Sequence, residues 1–332
     1  MRNEVKHPRQ RLADIVPLDV PFSIYIDPCG FCNLKCRFCP CNNSDYRIEE
    51  RHKKMDLDLF LKIVDDLAEF NGEVKVISLY GFGEPLMNPC VPDMVRIINE
   101  RALCREIRIT TNGILLSPEI NKKLVDSGVD LIRISIEALS AKSYLEITGV
   151  SVDYEKFLEN IRDLYNRSRG TRTKLTAKII TSDILSEEDI KIFSDVYSPL
   201  TDYQIVWQEE SGWPLFDVKS KLTKNAVTRT FTKVDDSLKN ICSSPFTDMM
   251  VFANGKVGAC CSDWRMDTVC GDVRKESLSY IWKLKMHSFR IAHLDGKRFQ
   301  IPSCRDCLII PYDDINADAE FIKAKLINKR KI

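Results

Sequence analysis

Between residues 22 and 207 short apolar runs alternate with longer stretches of helical period, and few architectures accommodate that rhythm. Strand-like runs fall at 22–27, 74–80, 106–110, 131–136, 174–180 and 203–207. The intervals 56–70, 91–100, 117–127, 154–167 and 186–196 read as helices. In the first of these, Leu57, Phe60, Leu61, Val64 and Leu67 recur at helical spacing behind Asp56, whose carboxylate is suited to cap free backbone N–H groups. Strands separated by helices pair in parallel through right-handed crossovers, so the predicted class is α/β. An open doubly wound sheet and an incomplete barrel both satisfy the pattern, and periodicity does not separate them. In either case ligands gather beyond the carboxyl ends of the strands.

Directly after the first run comes Cys32-Asn33-Leu34-Lys35-Cys36-Arg37-Phe38-Cys39. A cubane iron-sulfur cluster takes four thiolates, so a loop that supplies three leaves one iron open to another ligand. Cys29 pairs with Cys32 as C-x-x-C and Cys41 lies two beyond Cys39, so a zinc loop is the alternative on spacing alone. No apolar run reaches membrane-spanning length, and residues 1–14 are polar with mixed charge and lack the apolar core of a secretory signal. A cytoplasmic location is expected, where clusters among the 13 cysteines serve as metal ligands or reactive thiols rather than disulfides. With 49 basic against 48 acidic side chains, the chain shows no electrostatic footprint for nucleic acid. The basic stretches 167–174 and 329–331 read as solvated faces or tails.

The cysteine spacing, with an aromatic residue before the last thiol, resembles the radical SAM superfamily. That resemblance implies a partial (β/α)6 TIM-like barrel over 21–208, preceded by an extension at 1–20. It also implies that Cys32, Cys36 and Cys39 hold a 4Fe-4S cluster whose open iron is chelated by S-adenosyl-L-methionine. Reductive cleavage, fed by an external one-electron donor such as flavodoxin or ferredoxin, then gives a 5'-deoxyadenosyl radical. Cys29 and Cys41 are left as neighbours of the cluster without a role.

Tyr80-Gly81-Phe82-Gly83-Glu84-Pro85 follows the second strand, as the superfamily's G-x-G-E-P variant does. Its glycines are expected to turn the backbone tightly, and the resemblance implies that Gly81, Phe82, Gly83 and Glu84 bind the amino group of S-adenosylmethionine. Asn112 ends the third strand, and Ser135 and Glu137 end the fourth, where they can meet ribose hydroxyls. Lys178 on the fifth strand is a candidate for the methionyl carboxylate or for substrate.

Residues 209–240, a polar stretch containing Gly212, Trp213 and Pro214, read as a linker. A second cysteine-rich region, 241–310, runs through Cys242, a strand at 249–252, an Asn254-Gly255 hairpin turn, Cys260-Cys261, Gly271-Asp272-Val273, Trp282, and Cys304-Arg305-Asp306-Cys307. Four thiols on a hairpin also suit a zinc ribbon. The layout resembles the SPASM or twitch extension of radical SAM enzymes, which implies an auxiliary 4Fe-4S cluster on Cys242, Cys304, Cys307 and one of the adjacent pair. Cys260 is assigned as that ligand and Cys261 is left free; with only Cys261 and Cys270 over, one auxiliary cluster is expected. Residues 311–332 form a tail with a helical stretch at 317–328. Cys90 and Cys104 are placed in or beside the second helix as buried thiols. The four histidines show no ligand spacing and are expected at the surface or in packing. Asp248 and Asp263 flank the hairpin as loop carboxylates with no assigned role.

The expected function is that of a radical SAM oxidoreductase acting on a small polar, sugar-like substrate, without nucleic acid or membrane. The reaction is dehydrogenation, with the auxiliary cluster taking an electron, or epimerisation, with Cys261 as the catalytic thiol that returns hydrogen. Peptide maturation is an alternative, disfavoured because the short stretch before the first strand is too small for a peptide-recognition domain. A non-catalytic iron-sulfur or zinc binding protein is the other alternative.

Overall fold

The computed structural model describes residues 10–43, 46, 51–180, 186–207, 241–305, 307 and 315–329. The expected linker at 209–240 lies outside them. Strands β1 (Ser23–Ile26), β2 (Val74–Leu79), β3 (Cys104–Thr111), β4 (Leu131–Ile136), β5 (Lys174–Ile180) and β6 (Tyr203–Trp207) pair in parallel with each sequence neighbour. Their order, β6-β5-β4-β3-β2-β1, never reverses. Over these six strands each crossover steps the same way, which is the path of an incomplete barrel, and the order turns back only where β7 of the C-terminal region adds beside β1.

Helices α1 (Leu57–Ala68), α2 (Val91–Glu100), α3 (Pro118–Asp126), α4 (Ala141–Thr148), α5 (Tyr154–Ser168) and α6 (Glu187–Tyr197) fill the crossovers. Asp56 caps α1 as expected, accepting from the Leu59 N–H at 2.7 Å. One face of every strand is apolar. Ile24, Ile26, Ile77, Leu79, Ile107, Ile109, Ile132 and Ile134 are buried in one core with Phe60, Ile63, Val95 and Ile161 of the helices. Each such side chain contributes roughly 1.5–3 kcal/mol by leaving water. The alternate residues, Tyr25, Arg108, Arg133, Ser135 and Lys178 among them, are only half-buried and line the barrel lumen.

Helix α4 is absent from the pattern of expected elements because it is short and buries little beyond Tyr144, Ile147 and Thr148. Its local signals are present nonetheless: Ser140 and Ser143 form a capping box, and Gly149 closes the helix at φ 66°. The last turn of α4 carries the cysteine loop, with Lys35 N–H donating to Thr148 O at 2.9 Å and Arg37 N–H to Ile147 O at 3.1 Å.

The C-terminal region extends the same sheet. Strand β7 (Asp248–Val251) lies parallel to β1 with Ser23 opposite Asp248, and β8 (Lys256–Gly258) and β9 (Val269–Asp272) continue antiparallel through the predicted hairpin. Helix α7 (Met286–Leu294) and the tail helix α8 (Ala319–Lys329) meet the N-terminal turn Leu12–Ile15 in a second apolar cluster. A third cluster joins the halves: Phe82 stacks on Phe252 at 6.1 Å, with Tyr46, Met250 and Trp264 around them.

Two placements differ from expectation. Cys90 is the half-buried residue preceding α2, and Cys104 is the half-buried first residue of β3 rather than part of a helix, because strand pairing with Val74 begins there. Asp263 is buried and not a solvated loop carboxylate. No described helix is long and apolar enough to cross a membrane.

Candidate functional site

The chain leaves β1 through Asp27, a buried carboxyl that accepts from Cys29 N–H at 3.2 Å and from the backbone of Phe82. Burial pushes its pKa up to about 7 against those two hydrogen bonds. Beyond it the thiols of Cys32, Cys36 and Cys39 are close enough to disfavour one another's ionisation. Burial first, with the like charges added, raises Cys32 to about 12 and puts Cys36 well above the usual thiol range. A metal bound here must displace protons, as thiolate sites do. Leu34 N–H donates to Cys32 Sγ at 3.4 Å. The two unassigned cysteines find backbone carbonyls instead: Cys29 Sγ donates to Phe31 O at 3.4 Å and Cys41 Sγ to Phe82 O.

Glycines 81 and 83 serve close approach and not a left-handed turn, since neither is among the residues of positive φ. A Cβ on Gly83 would lie 2.1 Å from Cys29 O and 2.4 Å from Phe31 O, and one on Gly81 would strike the Asp27 side chain. The G-F-G-E-P segment is thereby laid flat on the cysteine loop, where Glu84 N–H donates to Phe31 O at 3.0 Å. Glu84 itself is buried. Its carboxylate accepts from Leu86 N–H at 3.0 Å, Thr111 Oγ1–H at 2.6 Å and Asn112 N–H at 2.7 Å. Burial outweighs these bonds and raises its pKa to about 7. Asn112 turns toward the cysteine loop, with Nδ2 donating to Asn33 Oδ1 at 2.8 Å and to Cys32 Sγ at 3.6 Å.

Deeper in the lumen Ser135 and Lys178 are register partners on β4 and β5. Glu137, just past β4, is raised to about 7 by burial; Lys178 opposes that shift and Glu84 adds to it. Arg108 is paired with Glu106 through two bonds of 2.7 and 2.8 Å. Arg133, by contrast, has no hydrogen bond or ion pair among the described residues, and its Nε is shielded from solvent. Tyr25 and Tyr80 meet edge to face at 5.7 Å. Cys261 joins this group: its thiol hydrogen-bonds to Cys260, Ser262 and Tyr25. The bond to Cys260 holds the exposed Cys261 thiol below the ordinary thiol range, opposed by Asp248, whose own carboxyl burial raises to about 6.

The adjacent residue, Cys260, meets the Cys261 thiol and also borders a second site. It lines a small cavity, partly open to solvent, together with Cys242, Cys304 and Cys307; Cys261 is not in the lining. Arg298 fixes the last two cysteines, donating Nε–H to Cys304 O at 3.0 Å and a terminal N–H to Cys307 O at 2.9 Å. Asp263 closes one wall by accepting from Thr268 N–H at 2.7 Å, Thr268 Oγ1–H at 2.7 Å and Ser303 Oγ–H at 2.9 Å. Cys270 stands apart, its thiol donating to Val257 O at 3.5 Å. Among the described residues no three His, Cys, Asp or Glu side chains converge on one metal-ion position.

The lining also holds residues that sequence spacing did not single out. His293, expected in a surface or packing role, is fully buried in the cavity wall, on a face of α7 that also buries His287 and Arg290 and so gave no distinct signal in sequence. The roles of Asp27, Asn33 and Tyr25 are likewise legible only once the strand ends are brought together.

A half-barrel with a three-cysteine loop at its carboxyl mouth, and a four-cysteine cavity on the same sheet, define an iron-sulfur α/β protein with two thiol sites. A model of the radical SAM superfamily matches residues 26–193, half of the chain, and one of the SPASM iron-sulfur cluster-binding domain matches 242–308. The chain belongs to the radical SAM superfamily and carries a C-terminal SPASM domain, with a 4Fe-4S cluster, S-adenosylmethionine and auxiliary iron-sulfur as the cofactors of these domains.

Among relatives, the tungsten-containing aldehyde ferredoxin oxidoreductase cofactor-modifying protein of Pyrococcus furiosus is 27% identical, with 86% of each chain covered. A probable GTP 3',8-cyclase of Methanococcus maripaludis is 38% identical over 35% of this chain, which spans 37% of that protein. The fold is similar to BtrN in complex with AdoMet and 2-DOIA (TM-score 0.55, 18% identity, 88% of this chain and 94% of that one). It is also similar to anSMEcpe with bound AdoMet and Cp18Cys peptide (TM-score 0.55, 16% identity, 93% and 99%).

Proposed function

We propose that the protein removes a hydrogen atom from a carbon of a small polar, sugar-like substrate in the barrel lumen and returns hydrogen from Cys261, an epimerisation. The observation that carries this reading is the Cys260-Cys261 step: one thiol lines the auxiliary cavity while its neighbour meets Tyr25 in the lumen. The thiols present fit the implied groups. Three in one loop leave a cluster iron for S-adenosylmethionine, and four thiols lining one cavity suit the four ligands of a second cluster. Cys32, Cys36 and Cys39 are assigned to the first and Cys242, Cys260, Cys304 and Cys307 to the second.

When bound, these groups supply a 5'-deoxyadenosyl radical and a nearby electron carrier. The chain's own residues do the rest. Gly81, Phe82 and Gly83 lay the backbone against the cluster loop, and Glu84 holds the ends of β2 and β3 in register. Ser135 and Glu137 face the nucleoside, and Lys178 faces a carboxylate. Arg133 offers an uncommitted guanidinium to a polar group of the substrate. Cys261 gives up its S–H hydrogen as a substrate C–H bond forms; the external one-electron donor and a proton from water restore the thiol.

Dehydrogenation is the second reading, favoured by Asp248 beside Cys261: its carboxyl, near pKa 6, can take the proton of a substrate radical. The cofactor-modifying relative, BtrN and the peptide-bound anSMEcpe span small-molecule and peptide substrates, so a peptide is tested beside sugars. A cytoplasmic setting belongs to the same proposal, because free thiols and a reduced cluster need a reducing compartment.

The test is turnover of reconstituted protein with S-adenosylmethionine and dithionite in D2O, against aminocyclitols, hexoses and a peptide library. Epimerisation places one solvent deuteron in the product, and Cys261→Ala still forms 5'-deoxyadenosine without that product. A product two hydrogens poorer and free of deuterium establishes dehydrogenation instead, and modification of peptides alone overturns the sugar-like substrate.

A further inference from the structure

His293 is completely buried on α7, and neither ring nitrogen has a hydrogen-bond partner among the described residues. A buried polar group left unsatisfied costs about 1–3 kcal/mol, and an aliphatic residue would avoid that cost. One face of the ring is covered by Phe289, at 4.8 Å between ring centres. The ring also lines the cavity bounded by Cys242, Cys260, Cys304 and Cys307, whose wall it shares with Arg298. Burial, with the charge of Arg298 added, pushes the imidazole pKa down to about 4. The ring is therefore neutral, with one N–H to donate.

We infer that His293 is a positioning residue for the auxiliary iron-sulfur group, donating its ring N–H to a sulfur of that group. Hydrogen bonds to cluster or thiolate sulfur favour the reduced, more negative state and raise the reduction potential. Arg298, 2% exposed in the same wall, adds a positive charge with the same sign of effect. The auxiliary site is thereby set to accept an electron, and the imidazole finds in the bound group the partner that the described residues do not provide.

The inference rests on the four cysteines being the auxiliary ligands, and iron content tests that separately. In full-length protein carrying Cys32, Cys36 and Cys39→Ala, about four irons should remain. A count of zero overturns the ligand assignment before His293 is addressed. In that same background, His293→Phe should keep its irons. A redox titration followed by electron paramagnetic resonance should show a lower midpoint, by about tenfold in the reduction equilibrium, or about 59 mV for one electron. His293→Gln, which retains an N–H, should recover part of the difference. An unchanged or higher midpoint in His293→Phe overturns the inference. Loss of iron in that variant also overturns it, since the ring would then be a ligand. Should the Phe variant not accumulate, His293→Leu is read by the same two outcomes.

Discussion

Thr111 Oγ1–H donates to Glu84 Oε1 at 2.6 Å, and this bond ties the loop after β2 to the end of β3. The other carboxylate oxygen takes the Asn112 N–H, so a single acidic side chain sets the spacing between the segment laid on the cysteine loop and the asparagine that faces Cys32. Glu84→Gln keeps the size but presents an NH2 to one N–H donor. We expect a loss of about 2–3 kcal/mol in stability and a larger loss in S-adenosylmethionine binding, measured by chemical denaturation and calorimetry. Thr111→Val, which removes one donor, should cost less.

Asp27 and Glu84 both titrate near pH 7 in the fold, whereas an unfolded chain titrates them near 4. Below about pH 4 both are protonated in either state and burial carries no charge penalty. As pH rises through 7 the folded state must ionise them in a dry environment, so stability falls. The melting temperature of the apoprotein should therefore drop between pH 5 and pH 8, and Glu84→Gln should show a shallower drop. A flat profile in wild type would contradict the assigned burial.

Gly83→Ala should be far more damaging than its chemistry suggests. The added methyl would meet the carbonyls of Cys29 and Phe31, which are backbone and cannot rotate away. We expect at least 1–3 kcal/mol of destabilisation and loss of 5'-deoxyadenosine formation, while the auxiliary iron content stays at wild-type level. Retained activity would show that the two loops separate in solution.

The neighbouring cysteines predict opposite outcomes. Cys260→Ala should remove the auxiliary irons and leave the cluster of the first loop, because Cys260 lines the cavity. Cys261→Ala should keep all about eight irons and still cleave S-adenosylmethionine, yet form no product. Iron and sulfide assays with chromatographic detection of 5'-deoxyadenosine separate the two; iron loss in Cys261→Ala would exchange their roles.

Much of this protein is legible without coordinates. The alternation of periods marks β4, β5, β6 and α2 at their observed bounds, since each is a local balance of side-chain spacing and propensity. Cysteine spacing likewise singles out Cys32, Cys36 and Cys39, because a short loop can present three thiols without help from distant chain. Helix α4 escaped because its amphipathic face is too short to register, although it anchors the cysteine loop.

Only the tertiary structure decided the rest. Open sheet and half-barrel share one periodicity, and the one-way stepping of β1 to β6 separates them. Adjacent Cys260 and Cys261 are equivalent in a sequence; only the folded loop after β8 puts Cys260 in the cavity lining and brings Cys261 to Tyr25. His293 reads as a packing residue until α7 folds against the cysteines, because burial and the absence of a partner are properties of the assembled interior and not of any local stretch of chain.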